Sequence, residues 1–252
     1  MSDGERIPTN VRPLLILEAL SSADGPMTTA ELGRAVGLPK PTIHRLCASM
    51  LDANFLSRDH ATRGLRPGRR AREIATGLLH NVADATARRQ ILTQVSETVK
   101  ETVNFAAPSD NGMTYVDRVE TDWAFRIQLP IGAIVPFHRT ASGKTYLASL
   151  PPAQRAKMAH SLDFSDGTPN AHKSPESLLT ELEAIAKRGF ALDNEELLEG
   201  MVALAVPICD KRRRYFASLA FHGPNQRLNA DSMVAHLDTM RNAAEKLSDL
   251  LA

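Results

Sequence analysis

The sequence TTAELGRAVGLPKPTIHRLCASML, residues 28–51, decides the fold of the N-terminal part of this chain. Thr28 and Glu31 have the spacing of a capping box, in which each side chain satisfies a free backbone amide at a helix start. Gly37 can take the left-handed conformation that ends this first helix. Two prolines follow in the first turn of a second helix, where a missing amide hydrogen costs nothing. The segment therefore predicts two short helices joined by a tight turn, the layout of a helix-turn-helix.

The second of these helices has one apolar face and one polar face. At about 100° per residue, its apolar residues fall on one side: Ile43, Leu46, Cys47, Met50 and Leu51. The opposite side carries Thr42, Arg45, Ser49 and Asp52, flanked by Lys40 and His44. These short, polar and partly cationic side chains suit contacts with base edges and phosphates. An ordinary helical hairpin with a solvated polar face is the alternative that this segment alone leaves open.

A β-hairpin is predicted directly after the second helix. The sequence FLSRDHATRGLRPGRR, residues 55–70, contains a short apolar-polar alternation, a turn region and a basic return limb. This pattern is typical of the wing that lies beside a helix-turn-helix. Pro67 cannot donate a hydrogen bond to a strand ladder, so the return limb is expected to be a short edge strand.

Positive charge is concentrated in the same region. Residues 38–72 contain eight lysines and arginines and two acidic residues, a net charge of +6, whereas the whole chain carries +1. Local basic charge beside a helix-turn-helix is typical of phosphate binding. Together these features predict a double-stranded DNA operator as a partner. The predicted DNA contacts are Thr28, Thr29, Lys40, Thr42, His44, Arg45, Arg63 and Arg66.

The length of 252 residues is too great for a winged helix alone and indicates two domains. We predict a winged helix-turn-helix domain at residues 1–72, a linker helix at 73–90 and a larger second domain at 91–252. Hydrophobic residues make up 43% of the chain, so both domains can bury a core. A helix that leaves the wing can transmit a conformational change or pair with its copy in a dimer.

From residue 102 the hydrophobic period changes from helical to alternating. Three strands are predicted first, TVNFAAP, GMTYVDRVE and WAFRIQLPIG, and then helices at residues 142–150, 153–161 and 175–188. Three further strands, GFALD, MVALAVPICD and RYFASLAFHG, precede a closing helix at residues 230–251. This order predicts an α+β domain with helices packed on a sheet.

Several function classes find no support in the sequence. The tripeptide SGK at Ser142 lacks the longer glycine-rich spacing of a phosphate loop, and no Gly-x-Ser-x-Gly elbow surrounds this serine. The residues His138, His172, His222 and Cys209 match no recognised zinc spacing. We therefore predict no catalytic residues, no metal and no cofactor. An enzyme domain at residues 83–252, with the winged helix as a protein-interaction module, is the alternative.

The sequence shows neither a signal peptide nor an apolar run approaching ~18 residues. Cys47 and Cys209 lie in different predicted domains, and neither belongs to a metal-binding pattern. We therefore expect a cytoplasmic protein without a membrane partner, whose thiols stay reduced.

Three separated segments resemble the IclR-type transcriptional regulators. The segment AELGRAVGLPKPTIHRL is similar to the helix-turn-helix of that family, VPFHRTASGKTYLASL to its central signature, and KRGFALDNEELLEGMVALAVPICD to its later one. The resemblance implies a GAF-like effector-binding domain, a homodimer or homotetramer, and a ligand-responsive repressor or activator without catalysis. Two positions depart from the family pattern. Leu65-Arg66-Pro67-Gly68 replaces an aromatic residue and a Leu-Gly pair in the wing, and Ala203 stands where some relatives have a polar or thiol side chain.

Carried onto the matching motifs, the resemblance also implies an effector site at Ala141, Ser142, Asp193, Glu195 and Ala203. Ile127 and Leu129, on the strand before, are predicted to line an apolar wall. Because residues 141–143 precede a helix, their amides can bind a carboxylate, so we expect a small carboxylic or aromatic acid as effector.

Each of these site assignments has a purely structural alternative. Ser142 is equally suited to cap a helix. Asp193 and Glu195 suit a cap or a surface loop, and the second domain can also have lost ligand binding and serve only for assembly.

Overall fold

The computed structural model describes residues 7–59, 62–81, 84–124, 126 and 129–250. The chain divides into two compact units, Met1–Leu78 and Leu79–Ala252. In the described residues, no helix is long and apolar enough to cross a membrane.

The N-terminal unit has three helices followed by a two-stranded antiparallel hairpin. The helices are α1 (Arg12–Ser22), α2 (Thr29–Val36) and α3 (Lys40–Asp52), and the strands are β1 (Leu56–Arg58) and β2 (Leu65–Pro67). The helix α4 (Arg69–Asn81) begins directly after the hairpin. This order confirms the predicted winged helix-turn-helix.

Local sequence signals account for the turn between α2 and α3. The Thr28 hydroxyl accepts a hydrogen bond from the Glu31 amide at 3.3 Å, and the Glu31 carboxylate accepts one from the Thr28 amide at 2.7 Å. Gly37 ends α2 with φ of 70°, a conformation that glycine adopts without steric cost. The core beneath consists of Ile16, Leu20, Leu32, Val36, Ile43, Cys47, Met50, Leu56 and Leu65. Capping, turn and periodicity thus agree with the observed fold.

The wing is short, as the proline predicts. Each strand has three residues, and Pro67 is the last residue of β2, opposite Leu56. Leu65 forms a further antiparallel bridge with Met27, through backbone hydrogen bonds of 2.7 and 3.0 Å. The hairpin is therefore attached to the segment that precedes α2.

The C-terminal unit is built on a six-stranded antiparallel sheet with the order β5-β4-β3-β8-β7-β6. Its strands are β3 (Thr102–Pro108), β4 (Met113–Val119), β5 (Ile134–Val135), β6 (Ala191–Asn194), β7 (Met201–Cys209) and β8 (Tyr215–Pro224). Its helices are α5 (Asp84–Val99), α6 (Ala141–Ser149), α7 (Pro152–Ala159), α8 (Pro175–Arg188), α9 (Ala230–Val234) and α10 (Leu237–Asp249). A 3-10 turn, Phe137–Arg139, precedes α6.

The two faces of this sheet carry different residues. One face packs against α5 and α10 through large side chains, which include Phe105, Val202, Leu204, Leu219 and Phe221. The other, which we call the α6 face, packs against α6 and α8 and carries the small residues Ala106, Ala203, Ala205 and Ala220. Strand alternation assigns the residues of β3, β6 and β7 to one of these faces, and those of β8 from Ala217 onward; an irregularity at Phe216 shifts the alternation before it.

Two predicted elements are wrong. In the third predicted strand, the described residues 123, 124, 126 and 129–132 lie in no strand, and the short β5 follows at Ile134–Val135. Pro130 has no amide to donate and Gly132 turns the chain with φ of 85°, so regular pairing with β4 starts only beyond them. The closing helix is interrupted between α9 and α10, where His236 packs edge-on against the Phe221 ring.

The predicted linker helix, 73–90, covers parts of α4 and α5, and residues 82–83 lie outside the described residues. Leu92, Val95 and Val99 of α5 belong to the core under the sheet. The boundaries at residues 72 and 90 stay a prediction.

Candidate DNA-binding face and effector site

The exposed side of α3 carries the residues predicted to contact DNA. Lys40, His44 and Arg45 are exposed and Thr42 is half-buried, whereas Ile43, Cys47 and Met50 are buried on the opposite side. Neither Lys40 nor Arg45 forms an ion pair with a described residue. The helix thus presents unneutralised cations and hydrogen-bonding groups on one face.

At the start of α2 the two predicted threonines have different surroundings. Thr29 is half-buried, and the Thr28 hydroxyl donates to Glu31 Oε2 at 2.8 Å while it caps the helix. The Thr28 hydroxyl therefore already serves the cap.

The arginines in the wing and directly after it also have different surroundings. Arg63 and Arg66 are exposed, and Arg66 Nε donates across the hairpin to Ser57 Oγ at 3.3 Å. Arg70 instead stacks over the Phe55 ring, with 4.5 Å between Cζ and the ring centroid. Part of the basic charge counted in the sequence therefore stabilises the hairpin, a distinction that charge counting could not make.

The predicted effector residues on α6 lie at a buried helix end. Ala141 and Ser142 are 1% and 3% exposed, and their amides make no hydrogen bond with a described residue. The cap is Thr140, whose hydroxyl accepts from the Gly143 amide at 3.0 Å, so the alternative of Ser142 as N-cap is wrong. A side chain on Gly143 would place its Cβ 2.2 Å from the Phe137 carbonyl oxygen. Glycine therefore lets α6 begin directly on the 3-10 turn.

The carboxyl group of Asp193 lies on the α6 face of β6, opposite Ala203 of β7. Asp193 is 1% exposed; its Oδ1 accepts from the Glu196 amide at 2.8 Å, and its Oδ2 has no hydrogen-bond partner among the described residues. Burial raises the pKa of Asp193 to about 7, and the negative charge of Glu196 adds to the shift. The group is thus held in an environment that disfavours its ionised form.

Glu195 is not brought to the α6 face with Asp193. It lies in the left-handed region with φ of 61°, and its carboxylate accepts from the Gly200 amide at 2.7 Å. Hydrogen bonds from Gly200 and Asn225 hold the pKa of Glu195 below its usual range. This carboxylate closes the loop after β6, as the structural alternative expects.

Of the two residues predicted to line an apolar wall, only Leu129 is among the described residues. Leu129 is half-buried and its carbonyl accepts a hydrogen bond from the Arg118 guanidinium, whereas Ile127 lies outside the described residues.

Polar residues that sequence reasoning missed lie on the same face of the sheet. Asn104 Nδ2 lies 3.0 Å from His222 Nδ1, and the other end of this amide, Oδ1, has no partner among the described residues. Arg118 is paired in register with Asn104. The signal in the sequence was a polar side chain at inward positions of strands that are otherwise apolar.

Two charged residues influence the buried Tyr115 hydroxyl. Burial raises the pKa of Tyr115 to about 12; the positive charge of Arg118 opposes this shift and the negative charge of Asp193 adds to it. Arg118 and Asp193 are therefore each within electrostatic range of the Tyr115 hydroxyl, although Tyr115 and Arg118 are on β4 and Asp193 is on β6.

A buried charge cluster supports the loop behind Asp193. Lys144 is fully buried and its Nζ donates to both carboxylate oxygens of Glu181, at 3.0 and 2.9 Å, and to Glu196. His172 Nε2 lies 2.5 Å from Glu181 Oε2. Although burial raises the pKa of Glu181, its hydrogen bond with His172 and the charge of Lys144 hold it at about 2.

Three of these side chains, His172, Glu181 and Glu196, have ligand atoms within 4.8 Å of one another, a spacing that could hold a metal ion. The ammonium group of Lys144 already bonds both carboxylates, so the cluster has its cation without a metal.

Comparisons with known proteins agree with this geometry. The family model described as "Bacterial transcriptional regulator IclR C-terminal" matches residues 77–249, and the "IclR helix-turn-helix domain" matches residues 11–60. The probable transcriptional regulator SauR of Cupriavidus necator is 37% identical over 237 residues, which are 94% of each chain. The transcriptional repressor IclR of Escherichia coli is 29% identical over 245 residues, 96% of this chain and 89% of that protein.

A solved structure shares the fold. It is an IclR homolog from Microbacterium hydrocarbonoxydans complexed with 4-hydroxybenzoate, with 23% sequence identity and a TM-score of 0.58. The similarity covers 97% of this chain and 99% of that one. Since the matches together span both units, this chain belongs to the IclR family, and it is a DNA-binding transcriptional regulator with an effector-binding C-terminal domain rather than an enzyme.

Proposed function

We propose that this regulator binds a small organic acid at the N-terminal end of α6 and that the acid changes its affinity for an operator. The observation that carries the proposal is the buried helix end, where the amides of Ala141 and Ser142 have no hydrogen bond with a described residue. Buried amides without a partner are costly, and the positive end of a helix favours an anion. A carboxylate at this point would satisfy both amides.

The small residues of the α6 face support our proposal that the effector is a carboxylic or aromatic acid. Ala203 and its alanine neighbours have short side chains that project little from the α6 face of the sheet. The opposite face carries large side chains. The Microbacterium homolog is complexed with an aromatic acid, 4-hydroxybenzoate. We infer that Leu129, Ala141, Ser142, Asp193 and Ala203 contact the effector, while Glu195 holds the adjoining loop.

The operator is read by α3 in this proposal. Lys40, Thr42, His44 and Arg45 face the major groove, Arg63 and Arg66 of the wing reach phosphates, and the start of α2, at Thr28 and Thr29, contacts the backbone. The regulator acts as a homodimer or homotetramer. Its two half-sites are then about one helical turn, or a multiple of it, apart.

The effector site is tested by calorimetric titration of carboxylic and aromatic acids into the protein and into Ser142→Trp. An indole at this buried position fills the space before α6, so we expect it to abolish binding. Ser149→Trp, at the exposed C-terminal end of the same helix, is the matched control and should bind as the unmodified protein does. Undiminished binding by Ser142→Trp would overturn the site.

A further inference from the structure

A stripe of solvent-facing residues runs along α5, on the side of the helix away from the core. Its members, which we call the α5 stripe, are Thr86, Arg89, Thr93, Glu97 and Lys100; Thr93 is half-buried and the others are exposed. Intervals of three and four residues keep them on one face. These intervals are three, four, four and three, so the spacing is symmetric about Thr93.

The two halves of the α5 stripe carry opposite charge. Before Thr93, Arg88 and Arg89 share the single carboxylate of Asp117, at 3.0 and 2.9 Å, which leaves one positive charge. Beyond Thr93, Glu97 is exposed and forms no ion pair with a described residue. Arg89 and Glu97 are each four residues from Thr93. An antiparallel copy of the helix would therefore place Arg89 of each chain against Glu97 of the other.

The remaining charges near Glu97 do not reverse the sign of this half. Glu120 is paired with Arg126 at 3.0 Å. Lys100 and Asp122, both exposed, carry opposite charges that balance. The second half of the stripe thus keeps the negative charge of Glu97.

Each half of the stripe also borders a groove with an exposed apolar side chain. The groove beside Arg89 has a volume of about 920 Å³ and is lined in part by Ile131, which is 52% exposed. The groove beside Glu97 has a volume of about 510 Å³ and is lined in part by Trp123, which is 50% exposed. The antiparallel arrangement would turn the Trp123 end of one copy toward the Ile131 end of the other.

The side chains at the edge and the centre of this surface are already fixed. Trp123 Nε1 donates to the Lys100 carbonyl at 3.0 Å, and Arg227 stacks over the indole with 4.9 Å between Cζ and the ring centroid. A tryptophan held in this way loses little conformational entropy on association, and tryptophan is enriched in interface hot spots. The Thr93 hydroxyl donates to the Arg89 carbonyl at 2.9 Å, so close approach at Thr93 leaves no donor unmet.

We propose that the α5 stripe is an interface between two copies of this chain, whose α5 helices are antiparallel and cross at Thr93. The charge pattern identifies the partner, because it is complementary to itself under a twofold rotation about Thr93. This inference rests on the proposed homodimer or homotetramer and adds the surface through which two C-terminal units associate.

The position of the twofold axis is tested by crosslinking Thr93→Cys. A residue on a twofold axis lies beside its own copy, so we expect a bismaleimide that bridges only facing thiols to link two chains. Thr98→Cys, exposed on another side of α5, is the matched control and should not be linked. The unmodified protein gives the background from Cys47 and Cys209.

The charge pattern is tested by Glu97→Arg. This variant sets arginine against Arg89 twice in one interface, so we expect the dissociation constant for assembly to rise about tenfold or more. Sedimentation velocity over a dilution series at low salt measures this constant, because salt screens exposed charges. Glu183→Arg makes the same change at an exposed position of α8 and should assemble as the unmodified protein does.

The outcomes separate the interface from the oligomer. If Thr93→Cys were linked no better than Thr98→Cys, or if Glu97→Arg assembled like Glu183→Arg, the α5 interface would be wrong and the proposed oligomer would stand. A monomeric unmodified protein would overturn both. The effector site is tested independently, because α5 packs on the face of the sheet opposite α6.

Discussion

Asp193 has a buried carboxyl group whose hydrogen-bonding capacity is not fully used by the described residues. Burial raises its pKa to about 7 and one of its oxygens has no partner among the described residues, so the free protein is less stable than it could be. Such a cost is typical of residues retained for binding. It also gives the residue a measurable effect on stability.

Replacing this carboxyl group by an amide should stabilise the free protein. A raised pKa means that the folded state holds an additional proton between the ordinary value and about pH 7, so stability falls as the pH rises through that range. We expect Asp193→Asn to raise Tm at pH 8, by the equivalent of up to about 4 kcal/mol. The gain should shrink toward pH 5, whereas exposed Asp166→Asn changes little. A lower Tm at pH 8 would contradict burial of the carboxylate as the origin of the shift.

Lys144, unlike Asp193, is a buried charged residue whose charge is balanced by its neighbours. It is fully buried, and its ammonium group neutralises the carboxylates of Glu181 and Glu196. Removing one partner of a buried ion cluster leaves uncompensated charge, which costs about 3 to 5 kcal/mol. Lys144→Met should therefore lower the urea midpoint strongly, while Lys157→Met, at an exposed position of α7, should not. If Lys144→Met and Lys157→Met had equal urea midpoints, the buried charge cluster would contribute nothing to stability.

Among the secondary elements, α3 could be predicted in detail because every signal for it is local. The capping box, the glycine at the turn and the 3.6-residue period all lie within residues 28–51 and agree with the observed helices. The prediction of a strand at WAFRIQLPIG was wrong because the alternation of apolar and polar residues does not reveal how Pro130 and Gly132 affect pairing with β4. Local signals fix elements more reliably than they fix pairing.

The α6 face could be predicted only in part for a related reason. Ala141, Ser142 and Asp193 came from motifs, but the contact between Asn104 and His222 joins residues 118 positions apart. Such a pair exists only through the register of β3 with β8. The cap at Thr140 was missed because Ser142 is an equally good capping residue, and only the observed start of α6 distinguishes them.

The role of α3 in reading the operator is tested by Arg45→Ala. If Arg45 contacts a base or clamps a phosphate, its loss should cost about 1 to 3 kcal/mol of specific binding. Arg212→Ala removes the same charge from an exposed turn of the other unit and is the matched control. Affinity should be measured by fluorescence anisotropy on operator DNA. If Arg45→Ala and Arg212→Ala bound equally well, the insertion of α3 into the major groove would be wrong.

Across the whole molecule, the two binding functions belong to separate units. The net charge of +6 in residues 38–72 contrasts with +1 for the chain, so attraction to DNA arises in the N-terminal unit. The amides of Ala141 and Ser142 and the Oδ2 atom of Asp193, which have no hydrogen bond with a described residue, all lie in the C-terminal unit. An acid can alter DNA binding only if it binds two states of the protein with different affinity. Regulation is thus a coupling free energy between the two units.

That coupling is measured most directly by anisotropy of labelled intergenic DNA beside the gene for this protein, with and without the acids of the calorimetric titrations. For the unmodified protein we expect sequence-selective binding that weakens about tenfold or more between about 50 and 200 mM salt. At constant salt, at least one acid should change the affinity, and Ser142→Trp should bind the same DNA without responding to that acid. Sequence-blind binding that no acid alters would contradict the claim that this chain is an acid-responsive regulator.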